Sequence, residues 1–419
     1  MRTQPHTFDV VGTGDVPTRT LVKVFALVFV PLLAVYLLIP NPGLHPKGDH
    51  ADALTNAVTA WNLGMRGVVI LDGFEAATAP EYFRNIGWFV DSPRGPVSQY
   101  PPGAAAFGAP FYRLAGDPTT PTLMTGTNNP DAEPLLLPMP SVRPGAVAAS
   151  VAAAGAMGLI AAAVAGASAS MWLGVGTGLV GGLATPMWTV AASALWQHGP
   201  GAFWVALGVF LASRRRYGWS GLAFAGAVMT RPHLAAIAAG LGLYDAWKER
   251  RLRPMAMIGG GTAAGLIGLL TFNYWLWGTL TVTGGYSPDF AENLSSFDLL
   301  GFAANVLGAL VDPYVGILVI SAFIVPLLLR IHPAWNGSPT WVRGAALGGV
   351  LYLLIQLKAN RYSGGGGFVG YRYPLEPLVA CAPLFGLAYP HWAHGDRVRR
   401  WAFWILVGAA VVIFFLWWG

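Results

Sequence analysis

Long apolar runs separated by short polar segments dominate this chain. A helix that crosses the hydrocarbon core of a bilayer needs about 20 apolar residues, and about eleven segments meet or approach that length. Together they predict an all-α polytopic membrane protein. Their approximate limits are 21–40, 145–168, 170–190, 199–213, 219–231, 233–246, 255–276, 311–330, 342–358, 374–390 and 401–418. Between the short fifth and sixth segments stands Pro232, which removes a backbone donor and predicts a helix break.

The distribution of charge predicts which loops lie outside. Cytoplasmic loops are enriched in Lys and Arg, and the clusters "RRR" at 214–216 and "KERRLR" at 248–253 are inside if the N-terminus is cytoplasmic. Most of the 19 acidic residues then fall in outer loops, of which the largest covers 41–144. We expect one transmembrane domain over 1–419 without a soluble C-terminal domain. We place it in a bacterial plasma membrane, with its site on the outer face.

Composition supports this class and excludes others. The chain is 54% hydrophobic and 11% charged, whereas soluble domains carry roughly 25% charged residues. The net charge of +6 is explained by Lys and Arg in the predicted inner loops. It does not indicate a nucleic-acid-binding surface, so no nucleic-acid partner is expected. The single cysteine, Cys381, cannot form an internal disulfide. No His/Cys ligand spacing is present; the outer carboxylates permit a divalent cation, but no spacing requires one, and we expect no cofactor.

The stretch "HPKGDHADAL" at 45–54 places Asp49 and Asp52 directly after the first apolar run. Helical spacing from Gly48 onward puts them on a polar face, opposite an apolar stripe, which predicts an interfacial amphipathic helix. A carboxylate within hydrogen-bond reach of a hydroxyl can act as its general base. Alternatively, Asp49 caps the helix and Asp52 is favoured in its first turn by the helix dipole. The stretch "SQYPPGAAAFGAPFYRLAG" at 98–116 predicts a second interfacial helix.

Several basic and aromatic side chains are candidates for binding an anionic substrate. Ionisable groups at membrane depth usually face a cavity or a partner, and Arg pairs naturally with phosphate. The candidates for phosphate are Arg231, Lys358, Arg361 and Arg372, and those for other substrate contacts are His198, His233 and Tyr371. The alternatives are a structural ion pair for Arg231, backbone hydrogen bonding for His198, and snorkelling of the basic residues in the 356–377 loop.

Five short motifs in order carry a resemblance to a known family. After one span comes "GD" with a later acidic residue, then "YPPG…APFY", "WQHGP", "TRPH" after a basic inner loop, and "GYRYPLEPL" before a late span. This ordered set, which covers nearly the whole chain, resembles the GT-C superfamily of polyprenyl-phosphate-sugar-dependent glycosyltransferases. The similar branches are the protein-mannosyltransferase-like and aminoarabinose-transferase-like one, or that of bacterial arabinofuranosyl- and mannosyltransferases.

The resemblance implies a GT-C-like fold, a polyprenyl-phosphate-linked sugar as donor, and a glycan, lipid or protein acceptor in the cell envelope. It implies an acidic general base just after the first span, which corresponds to Asp49. Where the family more often has a second consecutive acidic residue, this chain has His50, and Asp52 follows; the choice between the two aspartates stays open. Basic residues at the outer face would bind the lipid phosphate, and a single displacement would invert the anomeric carbon.

Transport is the competing class of function. A secondary transporter or a flippase of lipid-linked or small polar substrates would also be polytopic and carry charges at membrane depth. Transporters are often built from internal repeats with a site at the midplane. This sequence shows no repeat and concentrates its polar residues in one outer loop, which favours the transferase. A polymer ligase that uses lipid-linked sugars is a third alternative.

Overall fold

The fold is mostly helical, which confirms the predicted helical class. The computed structural model describes residues 16–39, 51–82, 86–116, 118–124, 133–286, 289–364 and 370–416. Within these ranges the α-helices are α1 Thr18–Leu38, α2 Ala51–Arg66, α3 Gly103–Ala115, α4 Arg143–Ser168, α5 Met171–Leu183, α6 His198–Ser213, α7 Tyr217–Thr230, α8 Ala235–Glu249, α9 Arg253–Trp277, α10 Asp289–Ser295, α11 Leu299–Val311, α12 Ile317–Ile320, α13 Ile324–Leu328, α14 Ile331–Gly337, α15 Thr340–Ala359, α16 Leu375–Ala393 and α17 Arg397–Leu416.

Five of the described helices are long and apolar enough to cross a membrane. They are α1, α4, α9, α15 and α17, and shorter apolar helices are α5, α6 and α11. Helix α4 is the most enclosed of the five, because α1, α5 and α6 all pack against it. The number of eleven crossings therefore stays a prediction.

Small residues allow this close packing. Gly178 on α5 lies where a Cβ atom would come within 2.9 Å of the Met157 carbonyl oxygen on α4. The "GTGLVG" stretch that contains Gly178 matches a nucleotide-binding pattern by sequence, but here it is helical and lets two helices approach. Gly178 and Gly181 of this stretch serve helix packing.

One predicted span is broken in the structure. Residues 311–330 form the end of α11 and the short helices α12 and α13 instead of one continuous helix. Asp312 Oδ1 accepts hydrogen bonds from the backbone N–H groups of Tyr314 and Val315, at 2.8 and 3.0 Å, and so forms a turn. Prolines in this segment remove further helical donors. The hydropathy of an apolar run therefore does not show where local hydrogen bonds interrupt the helix.

The segment between α1 and α4 contains two β-hairpins, which the sequence analysis did not predict. Strand β1 Phe89–Ser92 pairs with β2 Gly95–Ser98, and β3 Thr120–Met124 pairs with β4 Leu135–Met139. Residues from both hairpins pack with α2 in one apolar cluster. Helix α3 covers another side of α2, so that residues 53–62 of α2 are all buried. Protein thus covers much of α2; the position of α2 and α3 relative to a membrane surface stays a prediction.

Candidate functional site

Arg231 occupies the predicted break between α7 and α8. Helix α7 ends at Thr230, the backbone at Arg231 is extended, and a 3₁₀ turn over Pro232–Leu234 leads into α8. Proline disfavours a helical conformation at the residue before it, so this geometry follows directly from the sequence. The break directs the Arg231 side chain into the bundle, where it is only 6% exposed.

A buried carboxylate, Glu376, is the main partner of Arg231. Arg231 Nη1 donates to Glu376 Oε1 at 3.0 Å, and Nη2 donates to Gln356 Oε1 at 3.3 Å. His198 Nδ1, in the first turn of α6, lies 3.0 and 3.1 Å from the two carboxylate oxygens of Glu376. Glu376 was not predicted as a site residue. The sequence does place this carboxylate in an apolar segment, and a buried charge is unfavourable unless it is paired, so the position could have indicated a partner.

Arg372 and Asp52 form a second acid–arginine pair. Arg372 Nη1 donates to Asp52 Oδ2 at 2.9 Å, and the two side chains are 14% and 20% exposed. Asp52 lies in the first turn of α2, and Arg372 lies in the loop before α16. Burial opposes the charge of Arg372, but the Asp52 carboxylate favours it, and the pKa of Arg372 is raised above its usual range. The guanidinium is therefore a permanent positive charge.

One tyrosine ring joins the two pairs. The guanidinium carbon of Arg372 lies 5.3 Å from the centroid of the Tyr373 ring, and that of Arg231 lies 5.8 Å from the same centroid. Arg372 also lies 5.2 Å from the Trp196 ring. Distances of this size allow cation–π attraction. The arrangement holds two fixed positive charges on one aromatic wall, which is suited to an anion.

Two loop tyrosines, Tyr100 and Tyr286, lie beside these charges. Their rings contact edge to face with centroids 5.5 Å apart, and the Tyr286 hydroxyl donates to Gln197 Oε1 at 3.2 Å. Burial raises the pKa of Tyr286 to about 12, and burial followed by the charge of Asp52 raises that of Tyr100. Both hydroxyls therefore stay protonated and can donate hydrogen bonds at neutral pH.

Helix α3 brings Tyr100 to the site. A Cβ atom at Gly103, the first residue of α3, would lie 2.5 Å from backbone atoms of Met229 and Thr230. Only glycine permits this approach to the end of α7, directly before Arg231. The "YPPG" turn is thus packed against the helix break that positions the arginine.

The remaining predicted residues have other environments. His233 stacks on Tyr352 with ring centroids 5.1 Å apart, close behind Arg231. Lys358 Nζ donates to the Asn293 carbonyl oxygen and to Ser296 Oγ, at 2.6 and 2.9 Å, and so ties α15 to α10. Arg361 is exposed. The structure therefore brings Arg231, Arg372, Asp52 and His198 together, while the described contacts of Lys358 lie with α10.

Two further predictions concern Tyr371 and Asp49. Tyr371 is 1% exposed, and its hydroxyl is hydrogen-bonded to Ser321 Oγ at 2.8 Å. Asp49 lies outside the described residues, three positions before Asp52.

Among the described residues, no cluster of three or more His, Cys, Asp or Glu side chains could hold a metal ion. The expectation about cofactors is untested by this, because Asp49 and other outer carboxylates are not among them.

A long apolar groove of about 1090 Å³ runs beside α16. Thr185, Met187 and Leu375 line one end, and His332 and His391 line the other. Leu375 and His391 stand about 24 Å apart along α16 at 1.5 Å per residue, which is most of the roughly 30 Å of a bilayer core. Leu375 directly precedes Glu376, so one end of the groove lies next to the polar site.

Comparison with known proteins identifies the fold. No family model matches the sequence, and no curated protein matches it. The structure is similar to the crystal structure of ArnT from Cupriavidus metallidurans bound to undecaprenyl phosphate, with a TM-score of 0.51, 15% sequence identity and 93% of this chain covered. The chain spans 63% of the length of that ArnT chain.

The apolar helices and this likeness together define an integral membrane protein. The arrangement of its helices is similar to that of ArnT.

Proposed function

We propose that this protein is a membrane glycosyltransferase that moves a sugar from a polyprenyl-phosphate donor to an acceptor hydroxyl on the outer face of the membrane. The proposal depends on one observation. The guanidinium groups of Arg231 and Arg372 both lie within cation–π distance of the Tyr373 ring, and Arg372 forms a salt bridge with Asp52 at the start of α2. In the proposal these two arginines bind the anion beside an acidic side chain, and the similarity of the fold to that of ArnT supports it.

The two arginines suit the phosphate of the donor. When the glycosidic bond breaks, negative charge develops on the phosphate that leaves. Donors fixed in advance in a partly dry site stabilise such charge without reorganisation, and guanidinium groups are geometrically matched to phosphate oxygens. Arg231 and Arg372 both pack near the Tyr373 ring, which orients them in advance and fulfils this requirement. Lys358 and Arg361 remain candidates for an outer contact with the same phosphate.

An aspartate supplies the base in this proposal. The acceptor hydroxyl attacks the anomeric carbon while Asp49 or Asp52 removes its proton, the carbon–oxygen bond to phosphate breaks, and the anomeric centre is inverted. Asp52 lies beside the phosphate-binding arginine; Asp49 is the residue that the family resemblance favours. Direct substrate contact by His198, His233 and Tyr371 is proposed on sequence grounds, since their described contacts are with protein groups.

The groove beside α16 supports a lipid donor. The ArnT crystal structure was obtained with undecaprenyl phosphate, a lipid whose long prenyl chain needs an apolar path. In this chain the groove is lined mostly by apolar side chains and reaches Leu375, next to the polar site. We propose that the prenyl chain lies there while its phosphate reaches the arginines.

The same groove favours one alternative function. Because it extends along most of α16, it could also pass a lipid-linked sugar between leaflets, as a flippase does. The two functions differ in chemistry: the transferase releases polyprenyl phosphate, whereas a flippase moves its cargo without breaking a bond.

The test is turnover by the purified protein. Polyprenyl-phosphate mannose and polyprenyl-phosphate arabinose are each supplied with a panel of oligosaccharide acceptors, and released polyprenyl phosphate is measured. We expect Asp49→Ala or Asp52→Ala to reduce turnover by roughly 10²- to 10⁴-fold, the usual contribution of a general base, and Asp72→Ala, an exposed acid in the same loop, to leave it unchanged. Wild-type turnover in both single variants would contradict the mechanism. Movement of intact donor across vesicles without release would favour the flippase.

A further inference from the structure

The two acid–arginine pairs differ in how firmly each carboxylate is held. Glu376 is 0% exposed and is contacted by both Arg231 and His198. Asp52 is 20% exposed and forms a salt bridge with Arg372. Removing Glu376 from Arg231 would leave a buried charge unpaired, which is strongly unfavourable. Separating Asp52 from Arg372 costs less, because water reaches the carboxylate.

We propose that Arg372 is an exchange site, at which the phosphate of the donor replaces Asp52. The inference rests on the proposed function. The phosphate of the donor is a diester with one negative charge, like the Asp52 carboxylate, but its two terminal oxygens match two guanidinium nitrogens, whereas Asp52 Oδ2 accepts from Nη1, so it can displace Asp52 from the guanidinium. The Arg231–Glu376 pair does not exchange and keeps its geometry throughout. Donor binding thereby frees the Asp52 carboxylate.

The exchange orders the reaction. While Arg372 Nη1 donates to Asp52 Oδ2 at 2.9 Å, that oxygen is occupied by the guanidinium and does not face an acceptor hydroxyl. Once phosphate takes over the guanidinium, the oxygen is available to an acceptor hydroxyl. The groups that then surround Asp52 are Tyr100 and Tyr286, both protonated at neutral pH. The base thus becomes available only when the donor is in place.

Binding of hexyl phosphate tests the exchange without requiring the prenyl groove or turnover. We expect Asp52→Asn to bind this probe roughly three- to tenfold more tightly than wild type. In wild type the Asp52 carboxylate competes with the probe for Arg372, and the neutral asparagine does not. Arg372→Gln should bind it roughly tenfold or more weakly. In the double variant Asp52→Asn/Arg372→Gln, the gain from Asp52→Asn should vanish, because the contested guanidinium is absent.

Matched measurements separate exchange from general electrostatics. Asp72→Asn removes one negative charge from an exposed position in the same loop and should leave the affinity unchanged. Hexanol, which lacks the phosphate, should bind wild type and Asp52→Asn alike. An Asp52→Asn variant that keeps its thermal stability and binds hexyl phosphate no more tightly than wild type overturns the exchange, as does a gain that persists in the double variant. Failure of the proposed function is seen separately, as absence of polyprenyl phosphate release by wild type.

Discussion

Arg231 and Glu376 are separated by 145 residues in sequence, yet Arg231 Nη1 donates to Glu376 Oε1 at 3.0 Å and both side chains are buried. The pair joins the break after α7 to the start of α16. Because His198 at the start of α6 also contacts Glu376, one carboxylate holds three helical segments in register. The pair is therefore structural as well as a candidate part of the anion site.

Substitution of Glu376 tests that structural role. Glu376→Ala leaves Arg231 buried without its carboxylate, and loss of one partner of a buried pair costs about 3–5 kcal/mol. We expect a marked fall in melting temperature in detergent. The control is Glu249→Ala, which removes the partner of the 77% exposed Arg215; it should cost at most about 1 kcal/mol. Equal melting temperatures for the two variants would contradict the role assigned to Glu376.

Arg231→Lys tests the need for a forked cation. The guanidinium reaches Glu376 with one nitrogen and Gln356 with the other, whereas a single ammonium is a compact point charge that lacks this fork. We expect the rate of polyprenyl phosphate release to fall about 100-fold, within the range for losing one electrostatic donor. Arg66→Lys, which changes an exposed arginine stacked on Trp61, should retain the wild-type rate. A fully active Arg231→Lys variant would exclude a specific role for the fork.

Two neighbouring tyrosines should respond differently to substitution. Tyr373→Leu removes the ring shared by Arg231 and Arg372, and the loss of cation–π attraction, about 0.5–2 kcal/mol, should weaken phosphate binding several-fold. Tyr371→Phe removes a hydroxyl that is already hydrogen-bonded to Ser321; we expect a loss of about 1 kcal/mol in stability and an unchanged KM. A raised KM with unchanged stability would instead support direct substrate contact by Tyr371, as the sequence analysis predicted. Hexyl phosphate binding and steady-state kinetics distinguish these outcomes.

Filling the groove tests the path proposed for the prenyl chain. Gly176 lines the groove, and a Cβ atom placed there meets nothing within 4 Å. Gly176→Leu should therefore fold normally but raise the KM for a long-chain donor severalfold, while leaving hexyl phosphate binding unchanged. Gly260→Leu is the matched control, because Gly260 on α9 is equally open and is not among the residues that line the groove. If both variants show the same KM as wild type, the chain lies elsewhere.

Local patterns in the sequence were sufficient for much of the helical architecture. Apolar length predicted the long helices, and Pro232 predicted the break that the structure places at Arg231. The hairpins over α2 and the breaks near Asp312 were missed. Both depend on hydrogen bonds and packing that a hydropathy pattern does not contain, since an apolar residue has the same hydropathy in a continuous helix and in a broken one.

The sequence by itself determined that this is a helical membrane protein with ionisable residues among its long apolar stretches, Arg231 and His233. This was possible because the cost of burying charge and the length needed to cross a bilayer are read from residues close together in the chain. Only the tertiary structure decided that Glu376 is the partner of Arg231 and that Arg372, 320 residues from Asp52, is the partner of that acid. Charge pairing depends on which distant helices pack together, and no local pattern encodes that choice.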